Sequence, residues 1–512
     1  MPDTIDHLVR SRAPEQGTKP MVIDPSSRIT YRELDATTSE LAAAFVQAGV
    51  GKGTRVGLIM PNSARWVRVA IALTRIGAVL VPLSTLLQAR ELIAQLRAAS
   101  VQFLVSVEEF RGHRYLDDVG SVPRPELPAL RTIWPADRLT DATAGEGARG
   151  IVDAMTATVS PADPLVVMFT SGSSGAPKGV VHSHGNALAA VRSGLAARCI
   201  MPDTRLYLPM PFFWVGGFGS GILSALLAGA TLVTEEIPRP ETTLRLLETE
   251  RVNLFRGWPD QAEALARHAG AIGADLSALR PGSLEALLPP GLRSQPGARA
   301  TLFGMTEAFG PYCGYAADTD MPPTAWGSCG KPFAGMEVRV VDAESGEPLP
   351  AGTVGVIQIR GPHTLRGICR RGREELFTAD GFYPTGDLGR LDGDGFLFYH
   401  GRSDDMFKVS GATVYPSEVE RALRSIDRVQ NAYVTNVPGA AGDRVGAAVV
   451  CGAALTAEEL TQSARKLLSA FKVPTVWRLL ASDDDVPRGA TGKPDVHRLR
   501  AMLNEAATRA AT

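Results

Sequence analysis

The chain has 512 residues, which is too long for one compact core, so we expect a large composite body with at least one smaller domain. Its 53 Lys and Arg residues nearly balance its 54 Asp and Glu residues, for a formal charge of −1. This balance excludes a global field that would hold nucleic acid or an anionic membrane, and it favours a small neutral or anionic ligand.

The five cysteines lie far apart, at Cys199, Cys313, Cys329, Cys369 and Cys451. Their spacing matches neither a disulfide framework nor a zinc site, so we expect reduced structural thiols. The first residues lack a basic start and an apolar core, and no stretch approaches about 18 uninterrupted apolar residues. We therefore expect a soluble cytoplasmic protein that does not bind a membrane.

In chain order, helical and strand patterns alternate first. Thr30 and Glu33 have capping-box spacing and predict a helix that stops near Gly49. Residues 56–60, 63–76 and 79–82 then predict a βαβ unit. Further apolar runs, each followed by helix-compatible sequence, favour α/β layers with partly parallel sheets, and they span residues 165–169, 205–208 and 231–233.

After about residue 335 the pattern resembles antiparallel strands separated by Gly, Asp and Pro turns. The candidate strands are residues 336–341, 355–360 and 396–399. We expect a smaller β-rich subdomain in this part of the chain.

The segment 169–181, with sequence FTSGSSGAPKGVV, carries the strongest chemical signal. Its glycines let backbone N–H groups approach phosphate oxygens, its hydroxyls add donors, and Lys178 supplies a positive charge. It is not a Walker loop, because Pro177 precedes Lys178. The competing interpretation is a flexible surface loop of Gly and Ser.

This segment resembles the phosphate-binding loop of the acyl-activating, adenylate-forming superfamily, which contains acyl-CoA synthetases, nonribosomal adenylation domains and luciferases. Phe303-Gly304-Met305-Thr306-Glu307 is similar to the family's aromatic-Gly-x-Thr-Glu signature. The resemblance implies that Phe303 lies against adenine, that the Thr306 hydroxyl binds phosphate, and that Glu307 helps to hold Mg²⁺, a hard cation that prefers oxygen ligands. It also implies that the nucleotide contacts include Thr170, Ser171, Gly172, Ser173, Ser174, Gly175, Gly304 and Met305.

Three later segments resemble the family in the same order. Tyr383-Pro384-Thr385-Gly386-Asp387 is similar to the element whose Asp accepts hydrogen bonds from ribose hydroxyls. Residues 401–408 are similar to the interdomain hinge, which implies Arg402 near the nucleotide and Asp404 as pivot. Residues 487–493 resemble the loop of the adenylation lysine, which makes Lys493 the expected stabiliser of charge at the α-phosphate and carboxylate.

The resemblance covers roughly residues 20 to 500 and implies a fold and a division of the chain. The expected fold is α/β, with a large multi-sheet N-terminal domain of α/β layers and a β-rich subdomain, and a small mobile α+β C-terminal domain. We expect the domains to span residues 1–400 and 401–512, with the hinge near 401–405. In this family the small domain rotates at the hinge between two half-reactions.

By the same resemblance, the acid pocket is built around residues 211–219 and 257–259. Its expected acyl-binding residues are Phe213, Trp214, Gly216, Gly219 and Trp258. Relatives that activate amino acids place an Asp in the first segment, and none is present at 212–214, so amino acids are disfavoured. We expect the glycines to leave room for a bulky or extended hydrophobic monocarboxylic acid. Some of these aromatics could instead be plain core.

For the thiol step, the resemblance places Lys408 and Gly411 at the coenzyme A site. A glycine at position 411 would keep the pantetheine tunnel open, since a Cβ would narrow it. The competing interpretation is an ordinary turn glycine.

One segment departs from the family. After residues 275–280 relatives have a strand and a Gly-Gly-Ala-Pro-Leu-like loop that packs on adenine and the acyl group. Here the sequence 281–290 is PGSLEALLPP, and the path to Phe303 is several residues short. The adenine wall could therefore be altered or missing, which would weaken ATP binding.

These observations predict an acid–thiol ligase of the AMP-forming type that makes a coenzyme A thioester of a bulky hydrophobic acid through an acyl-adenylate. Its substrates and cofactors would be the acid, ATP or acyl-AMP, Mg²⁺ and coenzyme A. One alternative is a ligase that only thioesterifies a preformed acyl-adenylate, supplied by a separate adenylating enzyme. Another is an adenylating enzyme that loads a carrier protein. A non-catalytic binding protein is disfavoured, because Lys178, Glu307, Asp387 and Lys493 are all present.

Overall fold

The structure is a computed structural model that describes residues 3–139, 146–170, 178–403, 407–409, 412–439, 443–451, 455–468, 470–489 and 492–511. The chain divides into two compact units. The first comprises Met1–Val338, Ile359–Tyr383 and Gly395–Leu397, and the second comprises Arg339–Gln358, Pro384–Asp394 and Phe398–Thr512. In this division two segments before residue 400 join the C-terminal residues. The mobility of the smaller domain and its hinge at 401–405 stay predictions, and Asp404 lies outside the described residues.

The α-helices of the described chain are numbered in chain order. They are α1 Ile5–Gln16, α2 Tyr31–Gln47, α3 Ala64–Arg75, α4 Ala89–Ala98, α5 Tyr115–Gly120, α6 Glu146–Thr156, α7 His184–Ser193, α8 Ser224–Ala228, α9 Pro240–Thr249, α10 Pro259–Ile272, α11 Pro416–Arg424, α12 Ala457–Leu467 and α13 Val496–Ala511. The predicted capping box at Thr30 and Glu33 is confirmed at the start of α2.

The β-strands are numbered in the same way. They are β1 Pro20–Ile23, β2 Arg28–Thr30, β3 Arg55–Ile59, β4 Val79–Pro82, β5 Phe103–Ser106, β6 Thr132–Pro135, β7 Pro164–Thr170, β8 Lys178–Ser183, β9 Arg205–Tyr207, β10 Thr231–Val233, β11 Leu254–Phe255, β12 Phe303–Met305, β13 Gly310–Gly314, β14 Lys331–Pro332, β15 Glu337–Val341, β16 Gly355–Arg360, β17 Gly367–Ile368, β18 Tyr383–Leu391, β19 Leu397–Arg402, β20 Phe407–Val409, β21 Ala412–Val414, β22 Val429–Val437, β23 Arg444–Cys451 and β24 Val476–Leu480.

A seven-stranded sheet forms the centre of the first unit, with the strand order β17-β8-β7-β4-β3-β5-β6. The predicted βαβ unit is confirmed: β3 and β4 are parallel, and α3 between them begins at the Ser63 N-cap. The strands β4 and β5 are buried along their whole length, which explains their continuous apolar sequence. At one side β7 and β8 form an antiparallel pair, in which Thr170 lies opposite Lys178.

A five-stranded sheet has the order β11-β9-β10-β1-β2. The neighbours β11, β9, β10 and β1 run parallel to one another, and β2 is antiparallel to β1. The carboxyl ends of parallel strands meet at one edge of a sheet, where ligands bind in open α/β folds. The two aromatic segments predicted for the acid pocket follow β9 and β11, so this sheet brings them to the same edge.

The later strands form smaller sheets. The strands β12, β13 and β14 make an antiparallel sheet in the first unit. A four-stranded sheet has the order β15-β16-β18-β19, in the region where the sequence predicts the β-rich subdomain.

The second unit contains a hairpin of β20 and β21 and a sheet of β22, β23 and β24. The strand β23 is antiparallel to β22 and parallel to β24. The helices α11 and α12 pack on one apolar cluster and α13 packs on another, which makes this part a small α+β body. The predicted α/β fold with a large N-terminal and a smaller C-terminal domain is confirmed. Across the described residues, no helix is both long enough and apolar enough to cross a membrane.

Candidate functional site

The predicted phosphate loop connects the two strands of the β7–β8 hairpin. Its first residue, Thr170, and Lys178 are cross-strand partners, so the hairpin holds the two ends of the loop together. Gly179 packs tightly, since a Cβ there would lie 2.9 Å from Val167 Cγ1 and 3.1 Å from Cys369 Sγ. Residues 171–177 lie outside the described residues, and with them the predicted contacts of Ser171, Gly172, Ser173, Ser174 and Gly175.

The aromatic-Gly-x-Thr-Glu signature forms a strand and a tight turn. Phe303, Gly304 and Met305 form β12, and a 3₁₀ turn of Thr306–Ala308 follows. The turn ends at Phe309 with a φ of 52°, and Gly310 has a φ of 115°. Gly304 is required by close approach, because a Cβ would lie 2.1 Å from the Gly310 carbonyl oxygen. The backbone of the signature is therefore held in one compact hairpin.

His182 connects this signature to the phosphate hairpin. Its Nε2 lies 2.7 Å from the carbonyl oxygen of Thr306, and its Nδ1 lies 2.6 Å from Nδ2 of Asn186. A carbonyl can only accept and an amide nitrogen can only donate, so His182 is neutral with its proton on Nε2. The side chain of Asn186 is fixed in turn, since its Oδ1 accepts from the backbone N–H of Ser183 at 2.6 Å.

The sequence did not predict the contact between His182 and Thr306. The available signal was its position on an apolar strand four residues after Lys178, next to the Ser183 N-cap of α7. The partner lies 124 residues further along the chain, which no local pattern reveals.

Glu307 is the predicted Mg²⁺ ligand. The N–H of Leu365 donates to its carbonyl oxygen at 2.8 Å, and the Tyr383 hydroxyl lies 3.5 Å from its Oε1. The described residues contain no group of three or more His, Cys, Asp or Glu side chains that could hold a metal alone. A single carboxylate fits Mg²⁺, because this ion keeps several waters and binds substrate phosphates in addition to one or two carboxylates.

The first aromatic segment of the predicted acid pocket leads into a π-helix, Gly216–Leu223. This rare element often marks functional sites. Asn62 anchors the segment, since its Oδ1 accepts from the N–H of Phe212 at 2.8 Å and its Nδ2 donates to the Met210 carbonyl at 2.9 Å. The π-helix also packs on the signature, with the rings of Phe218 and Phe309 6.3 Å apart.

The predicted acyl-binding aromatics lie together. Trp214 packs edge-to-face on Phe213 and on Trp258, with ring centroids 5.8 Å and 5.9 Å apart. Phe213 is buried, whereas both tryptophans are partly exposed and available to a ligand. Phe212, which is fully buried against Trp66, is core. The two segments meet because the strands before them are parallel.

The expectation that glycines leave open room in this segment is wrong for the described structure. A Cβ on Gly216 would lie 2.5 Å from Met210 Sδ, and one on Gly219 would lie 3.1 Å from the ring of Phe309. These glycines permit close packing of the π-helix, and their Cβ positions are already occupied by protein atoms.

In the second unit, Asp387 and Arg402 lie side by side. Arg402 Nη1 is 3.3 Å from Asp387 Oδ1 and donates to the carbonyl of Thr385 at 2.8 Å. Gly386, with a φ of 74°, gives the guanidinium room, because a Cβ would lie 2.7 Å from Nη2. Asp387 is 7% exposed. The two predicted nucleotide contacts of this region are thus neighbours.

Lys493 is exposed at the end of a turn in the same unit. The N–H of Gly489 donates to its carbonyl at 2.9 Å, and Nη1 of Arg488 donates to the Gly492 carbonyl at 2.9 Å. Arg488 is itself held by Asp483 and by the hydroxyl of Tyr433. Arg488 therefore orients the Lys493 turn, a role that the sequence did not reveal.

Of the two predicted coenzyme A contacts, Lys408 and Gly411, the structure describes only the first. The backbone of Lys408 belongs to β20, which pairs with β21. Gly411 lies outside the described residues, as does Asp404.

The segment 281–302, whose sequence differs from that of the family, contains no regular strand or α-helix among its described residues. Between α10 and β12 the chain forms only two three-residue 3₁₀ turns, Glu285–Leu287 and Pro290–Leu292, and an isolated bridge of Pro281 and Ser283. Leu287 and Leu288 are buried in a satellite of the core with Phe255. The segment serves as packing for the five-stranded sheet.

Comparison with known proteins identifies the family. Residues 9–369 match the model of the AMP-binding enzyme family, and residues 418–493 match that of the AMP-binding enzyme C-terminal domain. The chain belongs to the AMP-binding enzyme family. The predicted superfamily and the predicted class, an AMP-forming acid–thiol ligase of the acyl-CoA ligase kind, are confirmed.

Relatives within the AMP-binding family match the chain over nearly its whole length. A 3-[(3aS,4S,7aS)-7a-methyl-1,5-dioxo-octahydro-1H-inden-4-yl]propanoyl:CoA ligase of Mycobacterium tuberculosis is 32% identical and covers 98% of each chain. A feruloyl-CoA synthase of Amycolatopsis sp. is 31% identical over 91% of this chain and 92% of its own. The crystal structure of an anthranilate CoA ligase with anthranoyl-AMP is 24% identical, covers 99% of each chain and has a TM-score of 0.82.

Removing the His182 contact should impair the enzyme without unfolding it. In His182→Leu the Thr306 carbonyl loses its donor, and we expect kcat to fall about 10-fold or more, as a buried hydrogen bond of this kind is worth about 1–3 kcal/mol. His182→Gln, whose Nε2 can still donate, should recover part of this loss. Steady-state kinetics with ATP varied would measure both, and equal kcat in the two variants would contradict the positioning role.

The buried histidines should make stability fall in acid. Burial lowers the pKa of His182, His184 and His363 to about 4 in each case. Between that value and the ordinary value of about 6.5 the unfolded chain binds more protons, so stability is full above pH 6.5 and is lost as pH falls towards 4. At pH 5 each group costs about 2 kcal/mol by this linkage. Melting temperatures between pH 7.5 and pH 5 would show the fall, and His363→Gln should flatten it. A melting temperature that is constant over this range would refute it.

Proposed function

We propose that this protein makes a coenzyme A thioester of a bulky hydrophobic carboxylic acid through an acyl-adenylate. One arrangement carries the proposal: His182 joins the Thr306–Glu307 signature to the phosphate hairpin at 2.7 Å, and Phe309 just beyond it packs on the aromatic π-helix. Phosphate groups and the hydrophobic acid would therefore meet at the same turn.

In the first half-reaction, a carboxylate oxygen of the acid attacks the α-phosphorus of ATP, and the bond from this phosphorus to the bridging oxygen breaks with loss of pyrophosphate. Lys178 and the Thr306 hydroxyl would donate to the phosphate oxygens. Asp387 would accept hydrogen bonds from the ribose hydroxyls, and Lys493 would stabilise charge at the α-phosphate and carboxylate. Mg²⁺ bound through Glu307 would neutralise phosphate charge.

In the second half-reaction, the thiolate of coenzyme A attacks the acyl carbonyl carbon, and the bond to the phosphate oxygen breaks with loss of AMP. Lys408 and Gly411 would border the pantetheine chain. We infer that the smaller domain turns at Asp404 between the two steps.

The substrate class follows from the pocket and the relatives. No Asp, Glu, Lys or Arg occurs in residues 211–219, so an amino acid would lack a partner for its ammonium group. The tryptophan pair offers an apolar wall for a ring system. The two relatives named above act, by their names, on a bicyclic propanoyl and a feruloyl group.

A second candidate is a ligase that has lost adenylation and uses a preformed acyl-adenylate. The observation that favours it is the segment 281–302, which lacks a strand and a helix in the described residues and in which Leu287 and Leu288 pack into the core. An adenine ring would then depend on Phe303 alone for a wall.

Parallel assays separate the two candidates. Thioester formation would be followed from a panel of bulky acids, once with ATP and free acid and once with synthetic acyl-adenylate, each with coenzyme A. Product from both establishes the two-step ligase, and ATP–pyrophosphate exchange with the accepted acid confirms it. Product from the adenylate alone supports the second candidate. If the thiol acceptor is a carrier protein, ATP–pyrophosphate exchange would occur without formation of acyl-CoA. If both thioester assays and the exchange assay fail, the protein is not a ligase.

Lys493→Ala should separate the half-reactions. We expect at least about a 100-fold loss in adenylation, because removing one charge stabiliser of a transition state costs about 3 kcal/mol, and little change in thioester formation from acyl-adenylate. Lys466→Ala, at an exposed lysine in α12, is the matched control and should change neither. An equal loss in both half-reactions would contradict the role of Lys493.

A further inference from the structure

A buried arginine of the first unit lies near the π-helix that follows the first aromatic segment. Arg198 is 4% exposed and lines a narrow cavity in the first unit. The same cavity is lined by Ser220 of the π-helix and by Phe309 and Pro311, which follow the signature. The rest of its lining is Ala190, Val191, Gly194 and Phe333.

Two hydrogen bonds use only some of the donor groups of the Arg198 side chain. Nε donates to the carbonyl of Gly194 at 3.0 Å, and Nη2 donates to that of Val191 at 2.8 Å. Both carbonyls lie at the C-terminal end of α7, where a cation is favourable. Among the residues that the structure describes, Nη1 has no hydrogen-bond partner and the guanidinium has no carboxylate within ion-pair distance.

A second buried arginine in the same unit, Arg75, has carboxylate partners. Arg75 is equally buried, but Asp6 and Asp35 pair with it at 2.7 Å and 2.8 Å. Burial, together with the smaller effect of the nearby Arg256 guanidinium, lowers the pKa of Arg198 to about 9. Keeping a charged group buried without an anion is costly, and a helix cap alone does not require it.

We propose that Arg198 recognises an acceptor oxygen at the end of the acid remote from the reacting carboxyl. The occupant is a carbonyl or a second carboxylate carried on the ring system, bound by the free Nη1 and assisted by the Ser220 hydroxyl. This inference rests on the proposed function and narrows its substrate from a purely hydrophobic acid to one with a polar distal end.

The shape of the cavity limits how such an acid enters. It has no room for a free water molecule, so the distal group reaches the guanidinium only when a wall side chain such as Phe333 moves. Changes of side-chain rotamer on binding are common. The relatives agree in chemistry: the names of the acyl groups include a dioxo bicycle and a hydroxybenzoate.

The test uses the aromatic acid that the panel shows to be best, prepared with an acetyl, an isopropyl or a carboxyl group at its distal end. Acetyl and isopropyl have similar size but differ in the acceptor oxygen. We expect wild-type kcat/KM for thioester formation to favour acetyl over isopropyl by about 10-fold or more. A kcat/KM that is higher for the carboxyl acid than for the acetyl acid would identify a second carboxylate as the occupant. A kcat/KM that is lower for the carboxyl acid would identify a neutral carbonyl.

The variants separate recognition from helix capping. In Arg198→Met the preference should fall to near unity, with the isopropyl acid little affected, whereas loss of a cap would slow both acids equally. Arg256→Met, a second arginine in the same neighbourhood that does not line the cavity, should keep the preference. If Arg198→Met does not fold, the preference for acetyl over isopropyl is measured in Arg198→Lys and compared with that of the wild type.

Two results would overturn the inference. One is wild-type enzyme that shows no preference among the three acids, and the other is Arg198→Met with the wild-type preference intact. Either result would leave the proposed function standing if the wild type still makes thioester from the panel acids. Absence of thioester with every acid and with acyl-adenylate would instead reject the proposed function.

Discussion

The hydrogen bond from His182 to the carbonyl of Thr306 is the contact on which the arrangement of the first unit depends. It joins two segments that are 124 residues apart and that we propose for phosphate binding. The bond requires a neutral imidazole, and burial supplies this by lowering the pKa to about 4. Asn186 completes the geometry, because its amide fixes which ring nitrogen carries the proton.

Side-chain packing connects this hydrogen bond to the predicted acid pocket. The ring of Phe309 contacts the imidazole of His182, the ring of Phe218 and the backbone at Gly219. The backbone of Phe309 has a positive φ of 52° at this position. The phosphate hairpin, the signature and the π-helix therefore share one contact, and a displacement of any of them would be felt by the others because the interior is close-packed.

Buried arginines of the first unit differ in their partners. In the scaffold, Arg75 is neutralised by two carboxylates and Arg205 by Glu250. Arg198, by contrast, is buried with carbonyl partners only, in the part of the chain that the structure describes. We propose that Arg198 selects a ligand because its buried guanidinium has few alternative partners.

Local pattern was sufficient for the family, the α/β class and the first βαβ unit, because capping boxes, apolar runs and turn glycines act within a few residues of the chain. The same reasoning predicted roles for Lys178, Thr306, Glu307, Asp387 and Lys493, since each lies in a contiguous motif. It was wrong about the glycines of the π-helix, because composition shows a missing Cβ but not the atoms that occupy its place. The contacts of His182, Arg198 and Arg488 were decided only by the tertiary structure, since their partners are brought to them by sheet pairing and helix packing over long stretches of chain.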